Sequence, residues 1–342
     1  MKKLKPILKV KWHNMKKIDL ITLKSAVKGA LRIYEQDGKV VLRRFTVCQE
    51  QFFNATVNYI NKQLKCKAST SMVIDFCSQT ENIALKADCF IASTRTPCFF
   101  DVYCDGKMVG HFGYNEFKDD KVSFSVNLPK GDKRITIYLP NLFEANITEF
   151  LIDDNAYIKP YKNAKKFMFL GDSITQGYVA EYPSKTYANQ VARAFDAQAL
   201  SWAIGGAYFL ADDLAEKIDF VPDVISVAYG TNDWAHGYDI LNNATEYFEK
   251  LIKTFPSSKI ICITPIWRGD LEKRKMTATM PFDKVGDLLE DICKKLGINV
   301  IRGENLVDKM PENFIEDVLH PNDKGFSEYT KNLLESLKEK NI

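Results

Sequence analysis

Four short segments hold residue types suited to one kind of chemistry. Residues 167–177 read Phe-Met-Phe-Leu-Gly-Asp-Ser-Ile-Thr-Gln-Gly, an apolar run that leads into a small-residue turn carrying Ser173. Near the other end, residues 317–321 read Asp-Val-Leu-His-Pro. A carboxylate three residues before a histidine can reach its Nδ1, fix the tautomer and stabilise the imidazolium formed when His320 takes a proton. Between them lie Ala203-Ile204-Gly205-Gly206 and Tyr229-Gly230-Thr231-Asn232-Asp233. A glycine-freed backbone N–H and an asparagine amide are two of the donors that acyl transfer needs around a developing oxyanion. Alone, the turn at Ser173 reads equally well as a loop with a serine helix cap. The other three segments decide for nucleophilic chemistry.

These residues need a scaffold that brings distant loops together. Phe167 to Leu170 form the short apolar run expected of a strand buried on both faces of a parallel sheet. A serine just past such a strand sits where open α/β sheets bind ligands. Gly171 lets the chain turn sharply there. Further strand candidates are 199–202, 224–228, 260–264 and 299–301. Helical patterns at 186–195, 212–218, 240–255, 282–296 and 322–340 alternate with them. This alternation predicts a parallel, doubly wound sheet. Pro321 is expected to start the last helix, which leaves Asp317 to His320 on a loop or single turn.

The first half has a different rhythm. Short alternating or apolar runs recur at 39–43, 71–77, 83–91, 98–104, 107–114, 122–128 and 134–139, with a last strand near 147–152. Asp37-Gly38, Asp105-Gly106 and Pro129-Lys130-Gly131-Asp132 separate several of them as turns. This spacing suggests a β-sandwich or jelly roll. The stretch 51–63 suits a helical face (Phe52, Phe53, Val57, Ile60) as well as a strand. The expected division is residues 1–155 for the β domain and 156–342 for the α/β domain, with the boundary inside 153–165.

The order Gly-Asp-Ser, Gly, Gly-x-Asn-Asp, Asp-x-x-His resembles the SGNH (GDSL) hydrolase family across roughly residues 165–340. The resemblance implies a flavodoxin-like α/β/α sandwich. It makes Ser173 the nucleophile, His320 the base and Asp317 its orienter. It builds the oxyanion hole from the N–H groups of Ser173 and Gly206 with the Asn232 side chain. The second block departs from the family pattern, because Ser201 stands where members often have asparagine. Either Gly205 or Gly206 could then supply the N–H; register favours Gly206. A β-sandwich ahead of such a domain is similar to the two-domain carbohydrate acetyl esterases and related acyl-transfer enzymes.

Composition sets outer limits. The 342 residues suit two domains, and a hydrophobic share of 46% suits packed cores rather than disorder. A net charge of +3 lacks the basic excess of a general nucleic-acid binder. The one local excess, Lys2, Lys3, Lys5, Lys9, Lys11, Lys16 and Lys17, reads as a solvated terminus. Neither a secretory h-region nor an apolar run of membrane-spanning length is apparent, so a soluble, cytoplasmic protein without a membrane partner is expected. The eight cysteines contain no Cys-x-x-Cys pair, which argues against zinc and for mostly buried reduced thiols. No metal or organic cofactor is required by the expected chemistry, and an oligomer is possible.

Four histidines compete for the role of base. His13 and His111 read as surface or packing residues. His236, four residues after Asn232, is the one rival to His320, but no carboxylate precedes it in a matching motif. Asp172 and Asp233 flank the candidate site and read as carboxylates that tie down their loops through backbone N–H groups. Trp234, Trp267, Arg268 and Tyr208 are placed to line a shallow acyl pocket beside a sugar platform, with Tyr178 and Tyr182 nearby in sequence. No apolar insertion suggests a lipase lid. The expected function is therefore hydrolysis of short-chain, acetyl-type esters on a carbohydrate or small molecule. The alternatives are a general short-chain esterase or lipase, an acyltransferase of the same family, and a glycan-binding protein with a degenerate hydrolase domain.

Overall fold

The computed structural model describes residues 14–56, 60–116, 120–214, 217–271 and 277–342. Residues 1–13, which hold His13 and the first five lysines of the basic terminus, lie outside the described residues, as does Val57.

The first half is a sandwich of two antiparallel sheets. One sheet runs in the order Arg32–Gln36, Lys39–Arg43, Phe143–Asp153, Asn82–Ile91 and Lys121–Asn127, with Met15–Lys17 also paired to Phe143–Asp153. The other runs Lys159–Pro160, Val73–Ser78, Lys133–Tyr138, Cys98–Cys104 and Lys107–Tyr114, with Val27–Lys28 paired to Val73–Ser78. Alternating residues face inward and build one core, including Phe76, Leu85, Phe100, Phe124, Ile137 and Phe150. Asp105 and Gly106 both take positive φ, as the tight hairpin between the last two strands requires. The strands Met15–Lys17 and Arg32–Gln36 and the helix Leu20–Ala26 were not legible as such in the sequence. All three are short, and the two strands lie at sheet margins and are largely solvent-facing, which weakens the hydrophobic alternation.

The second half holds a five-stranded parallel sheet in the order Ala197–Ser201, Lys165–Gly171, Val224–Ala228, Lys259–Ile263 and Asn299–Ile301. In chain order this is 2-1-3-4-5, the flavodoxin-like winding. Strand pleating sends Met168 and Leu170 into one core and Phe167 and Phe169 into the other, which is why the run is apolar throughout. Helices Ile240–Thr254 and Asp283–Leu296 cover the first face, and Tyr187–Ala194 and Asp323–Glu339 the second. The helix expected at 212–218 does not form in its described part. Ala211–Asp213 is a single 3-10 turn, and residues 215–216 lie outside the described set. Pro321 does not open the last helix, because Asn322 caps it and Pro321 instead bridges to Phe314.

The stretch 51–63 resolves toward helix. A helix spans Val47–Ala55 with a Thr46–Gln49 capping box, and a short one follows at Lys62–Lys65. This segment leaves the sandwich and docks on the α/β half, where Phe45, Phe53 and Cys66 join that core. Lys62 is buried and its Nζ lies 2.5 Å from Asp213 Oδ2. A second link runs through His111, stacked between Phe99 and Tyr182, with Nδ1 2.6 Å from Asp101. The other Asp101 oxygen accepts the Ser184 N–H. All eight cysteines are free thiols. Among the described residues no helix is long and apolar enough to cross a membrane.

Candidate active site

The crossover in strand order falls between Lys165–Gly171 and Val224–Ala228, and the carboxyl ends of those two strands deliver Ser173 and Asn232. This is the crevice where doubly wound sheets place ligands. Asp172 caps a one-turn helix, Ser173–Gln176, by accepting the Ile174 N–H at 2.9 Å. Ser173 is its first residue, so its own N–H belongs to the turn that has no intrahelical acceptor. Gly171 is required by space: a Cβ there would lie 2.1 Å from Thr175 Oγ1. Asn141, from the sandwich side, donates to the Gly177 carbonyl and braces the end of the same turn.

Ser173 Oγ lies 2.8 Å from His320 Nε2. His320 Nδ1 lies 2.5 Å from Asp317 Oδ2, and Asp317 Oδ1 accepts the N–H groups of Leu319 and His320 at 2.9 and 3.0 Å. The Asp-x-x-His spacing thus folds into a compact turn, with Val318 at φ +53°. Burial of Asp317 favours its neutral acid, but the His320 side chain and the two N–H donors outweigh it and bring the pKa down to about 2. The Tyr178 ring packs 4.7 Å from the imidazole, and its hydroxyl meets Thr94 Oγ1 of the sandwich at 2.8 Å.

The two donor loops interlock. Gly205 N–H donates to Gln176 Oε1 at 2.8 Å, which ties this loop to the Ser173 turn and commits the Gly205 N–H. Gly206 takes φ +87°, and a Cβ on it would meet Ile60 at 2.8 Å. Asn232 Nδ2 donates one hydrogen to the Ala207 carbonyl at 2.9 Å and retains its second. Asp233 accepts the N–H groups of Phe209 and Gly230, each at 3.0 Å. Burial raises Asp233 to about 7 despite those donors, and burial raises Asp172 to about 6. Both carboxylates tie loops, as their positions in the sequence suggest.

The aromatic wall needs correction. Trp234 is buried: its indole N–H is spent on the Met280 carbonyl, and its ring packs edge-on against Phe282. Arg268 is also buried, in a two-bond pair with Asp270 and a further contact to Thr231. Arg268 presents no face to a ligand, and Trp234 shows only an edge, to a hollow it lines with Tyr238, Met280 and Leu288; both stiffen the loops after Val224–Ala228 and Lys259–Ile263. Trp267 is half-buried against Phe314, and Tyr208 is half-buried beside Tyr238. His236 is exposed, and partial desolvation together with the Arg268 charge lowers its pKa. Three residues bearing on the site carry no motif: Arg44, Lys65 and Asn141. Gln176, three positions after Ser173, was within reach of a closer reading of the first block. Among the described residues no group of three His, Cys, Asp or Glu side chains is arranged to hold a metal ion.

Residues 169–327 match the GDSL-like lipase/acylhydrolase family, so the α/β half of the chain is a domain of that family. Its relatives in structure share both halves. A salicylyl-acyltransferase from a tetracycline biosynthetic pathway is 16% identical over 92% of this chain and 94% of its own, with a TM-score of 0.77. A Bacteroides ovatus protein described as a GDSL-like lipase is 18% identical over 95% and 98%, with a TM-score of 0.76. A family two carbohydrate esterase from Cellvibrio japonicus is 15% identical over 95% and 97%, with a TM-score of 0.62. At these identities the likeness is one of fold. No curated protein sequence matches the chain. The family match supports an ester hydrolase of the lipase/acylhydrolase kind.

Proposed function

We propose that the protein is a serine esterase that hydrolyses short-chain esters, acetyl first, carried on a carbohydrate, through a covalent acyl-enzyme. The observation that carries this reading is the chain of hydrogen bonds Ser173 Oγ–His320 Nε2 and His320 Nδ1–Asp317 Oδ2. His320 takes the Ser173 proton as Oγ attacks the ester carbonyl. The tetrahedral oxyanion is held by the N–H groups of Ser173 and Gly206 and by the second hydrogen of Asn232 Nδ2. The commitment of the Gly205 N–H to Gln176 supports Gly206 over Gly205. The imidazolium, stabilised by ionised Asp317, protonates the leaving alcohol as the ester C–O bond breaks. His320 then deprotonates a water that attacks the acyl carbonyl, and Ser173 regains its proton as the acid departs.

The carbohydrate assignment is supported by the two-part fold shared with the carbohydrate esterases. A second reading is transfer of the acyl group to an alcohol other than water, which the fold shared with the salicylyl-acyltransferase favours. One experiment tests both: purified protein is given an aryl acetate and acetylated xylo- and cello-oligosaccharides, with and without an excess of acceptor alcohol. Acetate release that Ser173→Ala removes supports the esterase. Ester formed on the acceptor faster than acetate is released would favour transfer. Absence of any turnover and of any labelling of Ser173 by a fluorophosphonate would sink the serine mechanism.

A further inference from the structure

We propose that Lys65, carried on the segment that leaves the β-sandwich, is a positioning residue of the oxyanion hole, which it serves by holding and polarising the Gly205–Gly206 peptide from behind. The inference rests on the reading of Gly206 N–H as an oxyanion donor.

The geometry is that of a single peptide unit. Lys65 Nζ donates to the Gly205 carbonyl at 2.7 Å. In a planar trans peptide that carbonyl and the following N–H, of Gly206, point in opposite directions. The ammonium therefore sits at the far end of the group whose near end would face the substrate. A charge-assisted bond to the carbonyl draws electron density along the amide and makes its N–H a stronger donor. The same bond fixes the rotation of a peptide flanked by two glycines, which would otherwise be the loosest in the loop. The site is close to the nucleophile: a Cβ built on Gly205 would lie 3.6 Å from Ser173 Cβ and 3.7 Å from Lys65 Nζ.

Lys65 is itself held in place. Lys62, one turn earlier, is locked to Asp213, and Gln49 Nε2 donates to the Asp213 carbonyl. Arg44 is fully buried, lies over the Phe45 ring and spends its hydrogen bonds on backbone carbonyls. It donates to Ala68 and Lys65 on the Lys65 side, and to Ser201 and Ala203 on the glycine-loop side. One guanidinium thus sets the distance between the lysine and the loop it serves. Lys65 has no carboxylate partner among the described residues, and burial lowers its pKa with no charge nearby to raise it. A neutral donor would satisfy the Gly205 carbonyl at less desolvation cost. The charge is explained if its field is used where negative charge develops.

The test uses the full chain in Lys65→Met, Lys65→Arg, Lys65→Gln and Ser173→Ala forms, assayed on an aryl acetate. An arylboronic acid, which forms a tetrahedral adduct on an active serine, serves as the transition-state probe. Lys65→Met is expected to lower kcat about 10- to 100-fold, somewhat less than loss of a direct donor. KM should stay within about twofold, and boronate affinity should fall in step with kcat. Lys65→Arg should recover part of kcat, and more than Lys65→Gln does. Should Lys65→Met fail to fold, the comparison of the arginine and glutamine forms, at equal thermal stability, carries the same test. Unchanged kcat in folded Lys65→Met, a loss confined to KM, or equal kcat in the arginine and glutamine forms would overturn the proposal while leaving Ser173 untouched. Turnover that survives in Ser173→Ala would overturn the underlying reading and the role of Lys65 with it.

Discussion

Asp317 Oδ2 lies 2.5 Å from His320 Nδ1, while Asp317 Oδ1 accepts the N–H groups of Leu319 and His320. One carboxylate therefore sets both the tautomer of the imidazole and the turn that presents it. Asp317→Asn should keep the turn partly intact but offer His320 the wrong partner. A loss in kcat of about 10⁴-fold is expected, the scale known for such an exchange in a serine triad. An aryl acetate assay at pH 7 measures it. A loss below tenfold in a folded variant would remove Asp317 from the mechanism.

The bases can be ranked on the same substrate. His320→Ala should cost several orders of magnitude in kcat, and Ser173→Ala about as much, with the double variant little worse than either. His236→Ala should alter mainly KM, since its ring packs beside Tyr238 while Ser173 Oγ is bonded to His320 Nε2. Additive losses in the double variant would mean that Ser173 and His320 act separately.

Asn232→Ala probes the oxyanion hole directly. Removing one such donor costs roughly 10²- to 10³-fold in kcat. Because Asn232 also bonds to the Ala207 carbonyl, the melting temperature must be read alongside. A large loss of stability with little loss of kcat in the folded fraction would make Asn232 a loop tie and no more.

Much of this site was legible because its chemistry is local in sequence. Ser173 follows its strand directly, and Asp317 reaches His320 within one turn. The parallel sheet announced itself through apolar runs such as Phe167–Leu170, which need to be apolar on both faces. Arg44, Lys65 and Asn141 were not legible, because each acts through a backbone carbonyl far away in the chain, and a carbonyl has no sequence signature. Trp234 and Arg268 do follow the carboxyl ends of their strands, but their indole and guanidinium turn inward to Met280 and Asp270. Sequence position tells which loop a side chain is on, not whether its indole or guanidinium finds a partner inside.

The buried carboxylates predict a pH effect on stability. Asp233 titrates at about 7 and Asp172 at about 6 when folded, above the ordinary aspartate range of the unfolded chain. The folded protein therefore binds more protons than the unfolded one between roughly pH 4 and 7. Their contribution to stability is complete below the unfolded pKa and is lost as pH rises through the folded values. Each proton contributes a slope of at most ~1.4 kcal/mol per pH unit. Asp233→Asn should flatten that part of the profile. It should also lower stability by about 1–3 kcal/mol, because its amide would face the Phe209 or Gly230 N–H. Urea titrations from pH 4.5 to 8 would show this. An unchanged slope in the variant would mean that Asp233 is ionised throughout.

Acyl-chain length tests the substrate assignment. With Trp234 and Arg268 withdrawn into the loops, Trp267 and Tyr208 remain, half-buried, as the candidate walls. Neither builds a deep apolar groove. Acetyl should fit such a site, while longer chains should clash with its walls or stay in water. A true acyl pocket would instead add about 0.8 kcal/mol for each buried methylene, close to fourfold in kcat/KM. On aryl esters, kcat/KM should thus fall steadily from acetate through butyrate to octanoate. A rise towards octanoate would move the assignment to a lipase. Uniformly poor rates, recovered only when an acceptor alcohol is supplied, would move it to an acyltransferase whose donor is not an aryl ester.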